Sequence, residues 1–480
     1  MGTRDDAGDA ALDCGPPDGM TGVAAVDPFL TGAWEPVHDE LDVDDLPVTG
    51  EIPDALAGSY VRNGPNPALA PEGRYHVFDG DGMLHAVRFE GGRARYRNRW
   101  IASAGLTAER RAGRPLFGGL AEFRMPDPDV VAEVGPLKNT ANTHVVRHAG
   151  RVFALLEAAR PTEVDLDLTT RGEYDFDGAL VGPMTAHPKI DPLTGEMVLF
   201  GYNPFPPYVR VHVADPAGCL VRSVDVDLPA PVMMHDFAVS SRHVVLFDLP
   251  ALFDLPALLQ GGPGVRWEPR NGSRIGVLDR DDLDAPARWF EVEPFWMFHS
   301  LNAYDDGDAV VVEGCRTDRL NAAFGDDEPV RARPPVLHRW RIDLAAGTVT
   351  EEQVDDRPGD FPRLNDDRAG ADARYGYVAR ANRWTDDGVV FDGFVKHDLH
   401  AGTSTVHDFG PGAVAGEVAF APDPSGAAED AGWLLTYEYD RVEARSDLVV
   451  VDAATLEQVA RVHLPRRVPS GFHGNWFGAG

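Results

Sequence analysis

The sequence has 480 residues, 43% of them hydrophobic, and its 77 acidic side chains against 44 basic ones give a formal net charge of −33. This length allows about three ordinary domains or one large β architecture. No apolar run approaches the roughly 18 residues that a membrane-spanning helix needs. We therefore exclude an integral membrane protein. Because so acidic a protein repels polyanions, we also exclude a nucleic-acid partner.

The first part of the chain, residues 1–22, is acidic and is expected to form a disordered tail, followed by a single domain over residues 23–480. The tail has no apolar segment of the kind that a secretory signal needs. The three cysteines, Cys14, Cys219 and Cys315, are widely spaced, which does not fit a disulfide framework or a cysteine-based zinc site. These features favour a cytoplasmic protein.

Short apolar stretches bounded by Asp, Gly or Pro follow one another along the chain and predict β-strands. No long amphipathic pattern of the helical kind competes with them. The clearest examples, in chain order, are EMVLFGY, HVVLFDL, DAVVVEG, GWLLTYEY and DLVVVDA. The fold class is therefore predicted to be all-β.

A strand that ends in Asp, followed by a turn and a further strand, recurs along this series. Asp accepts hydrogen bonds from turn backbone, and Gly in such turns supplies a positive φ. The repeats are anchored at Asp191, Asp215, Asp279, Asp343, Asp398 and Asp452. From Asp215 onward the intervals of 64, 64, 55 and 54 residues match one four-stranded propeller blade each, and the chain has room for about seven blades.

Four of the sixteen histidines stand beside apolar or aromatic residues at the start of strand-like segments. They are His187, His235, His299 and His473, spaced by 48, 64 and 174 residues. Each alone also fits a satisfied histidine of the core. On a propeller, however, all innermost strands converge on one axis, so that a shared metal ion explains the four together.

Four neutral imidazoles suit a borderline first-row ion such as Fe(II), Cu or Ni better than zinc. A six-coordinate iron would keep two positions open beside a substrate. Histidine ligands usually need an acceptor on the other ring nitrogen, and the candidates are Glu157, Asp360 and Glu417, carboxylates that are flanked by apolar residues.

Nine motifs then occur in the order found in the carotenoid cleavage oxygenases, which the chain resembles from about residue 30 to its end. One of them, KNTANT, is shared by the stilbene-cleaving and the apocarotenoid-cleaving members of that family. The motifs are NGPNP, HVFDGDGMLH, KNTANT, AHPKIDPLTGE, MHDFAV, FHSLNAYD, DFPRL, GEVAFAP and GFHGNW.

The resemblance implies a seven-bladed β-propeller with a dome of loops and helices over an axial metal site, where Fe(II) is held by His187, His235, His299 and His473. It also implies three carboxylates behind these ligands, two of which map to Glu157 and Glu417. The third position departs from the family, because Asp360 stands where Glu is usual. We expect this shorter side chain to reach its histidine through a backbone shift or a water molecule, and thereby to weaken metal binding.

The same resemblance implies cleavage of a C=C bond by O2 to give two carbonyl products. The sequence has no dinucleotide fingerprint and no ferredoxin-type cysteines, so the substrate itself must supply the electrons. The apolar Phe298 and Leu156 are expected to line a tunnel for a rigid apolar substrate, although both also fit ordinary core packing. Thr143 maps to a position that faces the open coordination site in bacterial relatives.

Substrate choice depends on fewer residues. Lys138 could meet a phenolate, as in relatives that cleave stilbenes, whereas Trp100 stands where those relatives have Tyr. The lost phenol partner favours an apocarotenoid or carotenoid over a stilbenoid. The apolar segment 248–264 is expected either to rest on a membrane surface or to be a covered loop. A non-catalytic propeller that binds an apolar ligand is the remaining alternative.

Overall fold

The protein is described from a computed structural model that covers residues 27–320, 332–385 and 388–479. The acidic tail of residues 1–22 and its boundary with the following domain lie outside the described residues, so this division stays a prediction. Within the described residues, antiparallel sheets dominate and helices are short.

Seven sheets of four to six strands in the described residues form the blades of a propeller, as predicted. Blades 1 to 4 comprise, each from its innermost strand outward, Gly474–Gly478, Gly58–Pro65, Gly82–Glu90, Arg93–Trp100 and Asp42–Val43; His144–His148, Arg151–Leu155, Thr162–Val164 and Thr170–Glu173; Lys189–Ile190, Met197–Tyr202, Val209–Ala214 and Leu220–Val226; and Ala238–Val239, His243–Asp248, Ser273–Asp279 and Arg288–Val292.

Blades 5 to 7 continue the series, and in blade 7 a short extra strand, Ala413–Val414, also pairs with the second strand. These blades comprise, from the inside outward, Trp296–Asp306, Ala309–Thr317, Val336–Asp343 and Thr348–Gln353; Gly359–Arg363, Tyr375–Thr385, Gly388–Asp398 and Thr403–Asp408; and Ala419–Pro422, Gly432–Asp440, Arg445–Asp452, Gln458–His463 and Val48–Gly50.

Burial changes across each blade in the way that a propeller requires. The second strand of blade 3, Met197–Tyr202, is buried at every position, because neighbouring blades cover both of its faces. The outermost strand, Leu220–Val226, alternates between half-buried and exposed residues over most of its length. The continuous apolar stretches of the sequence are therefore inner strands packed on two sides.

The two ends of the chain close the ring. The C-terminal strand Gly474–Gly478 pairs antiparallel with Gly58–Pro65 and becomes the innermost strand of blade 1. The N-terminal strand Val48–Gly50 completes blade 7 by pairing with Gln458–His463. This double closure joins the first and last blades, and it carries His473 to the axis.

The aspartates of the sequence repeat lie in turns between strands, which confirms that prediction. Each accepts backbone N–H hydrogen bonds within its turn at 2.7–3.2 Å. Five of the six occupy the same turn, between the third and fourth strands of blades 3 to 7. Asp191 instead follows the innermost strand of blade 3, which explains why the regular spacing starts only at Asp215.

Loops and short helices form the dome over one end of the propeller axis. Its helices are α1 (Ala104–Ala112) and α2 (Pro128–Val134), and α3 (Leu255–Leu259) lies between the paired strands Ala251–Phe253 and Val265–Trp267. Single turns of 3-10 helix occur at Pro28–Leu30, Gly32–Trp34, Val77–Asp79, Pro269–Asn271 and Asp366–Arg368. In the described part of the chain, no helix is long and apolar enough to cross a membrane.

Candidate metal centre

The innermost strand of each of the seven blades brings a histidine or a carboxylate toward the axis, at or near the start of the strand. Five of these side chains are imidazoles and two are carboxylates, and all seven are at least largely buried. In blade order they are His473, His144, His187, His235, His299, Asp360 and Glu417. The periodic part of the fold thus builds the site, because each blade contributes from the same place in its repeat.

Four of the imidazoles converge on one point. The Nε2 atoms of His187 and His235 lie 3.0 Å apart, and those of His235 and His299 lie 3.4 Å apart. One nitrogen from each of these residues and from His473 lies within 4.8 Å of all the others, an arrangement that can hold a metal ion. All four side chains are buried. The structure therefore brings together the four histidines that the sequence singled out.

Three carboxylates accept hydrogen bonds from the opposite ring nitrogens. Nδ1 of His235 lies 2.5 Å from Glu157, Nδ1 of His299 lies 2.8 Å from Asp360, and Nδ1 of His473 lies 2.9 Å from Glu417. Because a carboxylate accepts and Nδ1 donates, each contact leaves Nε2 unprotonated and facing the cluster. These three rings thus present lone pairs that a cation would satisfy.

The Glu417 carboxylate is held from several sides. Its Oε2 atom accepts a hydrogen bond from the backbone N–H of Gly474 at 2.8 Å and lies 3.3 Å from the guanidinium of Arg363. Arg363 in turn donates to the carbonyl of Gly474 at 2.8 Å. The carboxylate is almost fully buried, so this cation offsets the cost of desolvating it.

Asp360 contacts its histidine directly, without an intervening water molecule. The same oxygen that lies 2.8 Å from His299 also accepts the backbone N–H of Phe361. The strand is irregular here, because its register shifts between Asp360 and Arg363, and Phe361 has a φ of 53°. The shorter side chain was expected to reach its histidine through a backbone shift or a water molecule. The structure has an irregular backbone and a direct hydrogen bond.

Burial favours the neutral form of two histidines of the cluster. It lowers the pKa of His187 and of His473 well below the usual value, and the neighbouring imidazoles lower both further. Burial also acts to lower the pKa of His235, but the carboxylate of Glu157 outweighs it and raises that pKa. Neutral imidazole is the form that binds a metal, so the surroundings of His187 and His473 prepare both rings for coordination.

A cavity of about 500 Å³ reaches the cluster and is lined by three of its members, His187, His299 and His473. Its wall mixes apolar and polar side chains and includes Asp236 and Arg280, both of which are already paired with other side chains. The residues predicted to line an apolar tunnel, Phe298 and Leu156 among them, do not line this cavity. It is therefore an approach to the cluster that is separate from these two residues.

Three of the residues that the sequence assigned to the reaction adjoin the cluster. The ring of Phe298 packs edge-on against the ring of His235 with centroids 5.2 Å apart. Leu156 is half-buried and directly precedes Glu157, and the carbonyl of Thr143 accepts the backbone N–H of His473 at 3.1 Å. Their roles toward a substrate stay predictions.

The other two predicted substrate residues have partners elsewhere. Lys138 lies 2.6 Å from a carboxylate oxygen of both Asp81 and Glu109, and all three side chains are buried or nearly so. The indole N–H of Trp100 donates to the carbonyl of Asn66 at 2.9 Å. The structure does not place either residue at the histidine cluster, and their assignment to substrate binding stays a prediction.

Two residues near the cluster were not singled out from the sequence. His144 starts the innermost strand of blade 2, a setting that would have met the same criterion as the other four histidines; burial lowers its pKa to about 3. Tyr202 donates its hydroxyl to Glu157 at 2.7 Å, on the oxygen that does not face His235. No local pattern in the sequence indicates that contact, because it joins two separate blades.

Comparison with known proteins agrees with this geometry. The family model described as retinal pigment epithelial membrane protein matches residues 34–478. A carotenoid cleavage oxygenase of Mycobacterium tuberculosis is 36% identical, over 94% of this chain and 97% of the relative.

Solved structures have the same fold. A lignostilbene dioxygenase of Pseudomonas brassicacearum superposes with a TM-score of 0.87 at 30% identity, covering 95% of this chain and 99% of the other. A cobalt-substituted apocarotenoid oxygenase of Synechocystis gives 0.84 at 29% identity, covering 94% and 98%. With a seven-bladed propeller, four histidines at one point on its axis, and these matches along nearly its whole length, the chain belongs to the carotenoid cleavage oxygenase family.

Proposed function

We propose that this protein is a non-haem Fe(II) dioxygenase that cleaves a C=C bond of an apolar conjugated substrate with O2 and releases two carbonyl products. The observation that carries the proposal is the cluster of four buried imidazoles, three of which are oriented by carboxylates. A non-catalytic propeller gains nothing from this arrangement, since buried ionisable groups cost stability unless they are paired.

The residues present fit an iron ion. Four imidazole nitrogen donors, with no thiolate and no carboxylate among the convergent atoms of the described residues, suit Fe(II) among the divalent first-row metals. Bound there, Fe(II) would supply redox chemistry and open coordination positions. The three carboxylates would hold the rings of His235, His299 and His473 in place and raise the basicity of their Nε2 atoms.

The neighbouring side chains would position the substrate. Phe298 packs on His235, and Leu156 lies beside Glu157, so both can press a rigid polyene toward the centre and keep water from it. Thr143, whose backbone is hydrogen-bonded to His473, would face the open side of the metal. Selection of one double bond would then follow from geometry.

An apocarotenoid or a carotenoid is the proposed substrate. The ammonium group of Lys138 is already neutralised by Asp81 and Glu109, and the polar edge of Trp100 is bonded to Asn66, so neither is available to a phenolate. This pairing supports a substrate without phenol groups. The relative from Mycobacterium tuberculosis is also named for carotenoid cleavage.

A stilbenoid is the second candidate. The similarity to the lignostilbene dioxygenase of Pseudomonas brassicacearum, with a TM-score of 0.87, favours it. In that case Lys138 would have to exchange one of its carboxylate partners for the phenolate of the substrate.

We also propose that the segment 248–264 contacts a membrane from the periphery, from which an apolar substrate can be drawn. Leu259, at the end of helix α3, is 68% exposed, while Leu252 on the preceding strand is buried. The apolar end of the segment therefore faces outward. Flotation with liposomes, compared between the wild-type protein and Leu259→Ser, tests this contact; equal binding by both would contradict it.

The function is tested by incubating iron-loaded protein in air with apocarotenals, β-carotene, resveratrol and a lignostilbene, and by identifying the products by mass. We expect paired aldehydes from an apocarotenal or the carotene, and none under nitrogen or with His299→Ala. Aldehydes from the stilbenes alone would establish the second candidate. Protein that binds no iron and leaves every substrate unchanged would refute both in favour of a binding propeller.

A further inference from the structure

His144 is the fifth histidine at the propeller axis, and its ring faces a different set of partners. It starts the innermost strand of blade 2, between the blades that carry His473 and His187. Its ring centroid lies 5.1 Å from that of His473 and 5.8 Å from that of His187. It is nevertheless not one of the four residues whose nitrogens converge.

The hydrogen bonds of His144 fix both of its ring nitrogens. Nδ1 lies 2.8 Å from the carbonyl oxygen of Ala186, and since a carbonyl only accepts, Nδ1 donates. Nε2 therefore carries a lone pair, and it accepts the amide N–H of Asn475 at 3.1 Å. Neither nitrogen is left free to coordinate a metal.

The orientation of the Asn475 amide is fixed as well. Its nitrogen also donates to the carbonyl of Val145 at 2.8 Å, and its oxygen accepts from the guanidinium of Arg363 at 2.6 Å. Arg363 is the same cation that lies against Glu417. The chain of contacts from His144 thus leads into the carboxylate that supports His473.

The other end of this chain leads to His187. Ala186 directly precedes His187, and in the described residues no carboxylate pairs with the His187 ring, in contrast to the other three histidines of the cluster. A hydrogen bond to the preceding carbonyl is therefore a means of fixing where the His187 backbone stands.

We propose that His144 is a positioning residue that fixes His187 and His473 relative to each other, through Ala186 on one side and Asn475 on the other. The inference rests on the proposed function, because it treats the four-histidine cluster as a metal site. It goes beyond that function by assigning the support of His187 to a fifth histidine in place of a carboxylate.

His148 provides the matched control. It lies four residues further along the same strand, is equally buried, and also bonds a carbonyl of blade 3, that of Gly195, at 3.0 Å. Gly195 is separated from His187 by the strand Lys189–Ile190 and the turn that follows it, whereas Ala186 directly adjoins His187. A merely structural role of hydrogen bonds between blades 2 and 3 would make His144→Phe and His148→Phe equivalent.

The experiment compares Co(II) binding to the full-length protein and to His144→Phe and His148→Phe, using the visible absorption bands of the bound cobalt and its dissociation constant. We expect both variants to lose thermal stability, but only His144→Phe to shift the bands and to weaken binding by about 10–100-fold. Wild-type bands and affinity in His144→Phe would overturn the inference.

A second variant keeps the test open if His144→Phe does not fold. His144→Asn retains an amide N–H for the Ala186 carbonyl but cannot reach Asn475, and we expect it to fold and to show shifted cobalt bands; unchanged bands would contradict the proposal. If the wild-type protein itself binds no cobalt, the proposed function fails, and this inference fails with it. If the wild-type protein binds cobalt and the His144 variants have unaltered spectra, the inference fails while the proposed function stands.

Discussion

The rim of the propeller axis and the dome above it are built on different principles. At the rim, the innermost strand of every blade contributes a histidine or a carboxylate from the same place in a repeat. In the dome, segments such as 104–143 belong to no repeat, and Lys138 there is committed to a local ion-pair cluster. A repeated fold therefore fixes the direction of a side chain, whereas a connecting loop leaves it to local packing.

The largest effect is expected when one imidazole is removed from the rim. We expect His299→Ala to lose metal binding and turnover completely. Only three imidazole ligands remain, and Asp360 loses the ring whose N–H it accepts. Metal content after loading and product formation measure the effect. The control is His338→Ala, since His338 is equally buried in the same blade and lies 2.9 Å from Glu351, but outside the cluster. Loss of metal from both variants would mean that blade 5 itself had unfolded.

The dome is tested by Lys138→Met. This change leaves the buried carboxylates of Asp81 and Glu109 without their cation, and we expect the free energy of unfolding to fall by about 3–5 kcal/mol. Chemical denaturation provides the measurement. Arg111→Met is the matched control in the dome, because the pair of Arg111 with Glu133 is exposed and should contribute little to the free energy of unfolding.

The same variant separates the two candidate substrates. With Lys138 serving as a structural cation, KM for an apocarotenal should stay unchanged in the fraction that remains folded. A large rise in KM confined to stilbenes would instead assign Lys138 to substrate recognition.

The hydrogen bond that Asp360 accepts from His299 provides a further test at the rim. We expect Asp360→Asn to weaken metal binding by about 10–100-fold, since an amide accepts a weaker hydrogen bond from His299 than a carboxylate does. Because Asp360 already reaches His299 at 2.8 Å, Asp360→Glu should bring no gain in affinity. Metal titration of the wild-type protein and the two variants measures these affinities. Tighter binding by Asp360→Glu would show that the shorter side chain does weaken metal binding.

The smallest effect concerns a buried histidine away from both regions. Burial lowers the pKa of His212 to about 4. Between about pH 6.5 and pH 4, His212 is therefore protonated in the unfolded chain but neutral in the folded protein. The contribution of His212 to the free energy of unfolding is therefore fully present above pH 6.5, its ordinary pKa, and is lost as the pH falls below that value. Between about pH 7.5 and pH 5.5, the wild-type protein should lose about 1 kcal/mol more than His212→Gln. Parallel loss in both proteins would exclude His212 as the cause.

Much of the rim could be predicted from the sequence because its determinants are local and periodic. The turn aspartates recur at the blade interval, and five of them lie in the same turn of successive blades. The four histidines were recognised by their apolar flanks at strand starts. His144 has the same setting, but its different partners, Ala186 and Asn475, come from two other blades and could not be inferred from spacing.

Contacts between segments that are distant in the sequence could not be predicted in this way. Trp100 and Lys138 were assigned to the substrate by position in motifs alone, and the structure shows that each has a partner distant in sequence. The cavity beside the cluster was not foreseen either, because Asp236 and Arg280, which line it, share no local sequence pattern. Contacts between loops depend on packing that a single sequence does not display.

X-ray absorption spectroscopy of the iron-loaded protein tests the central claim most directly, because it reports the atoms bound to the metal. The arrangement of His187, His235, His299 and His473 predicts one iron per chain with scattering from four imidazole rings. Fewer than four imidazoles, with a protein carboxylate such as Glu157 bound directly to the iron, would contradict this account of the site.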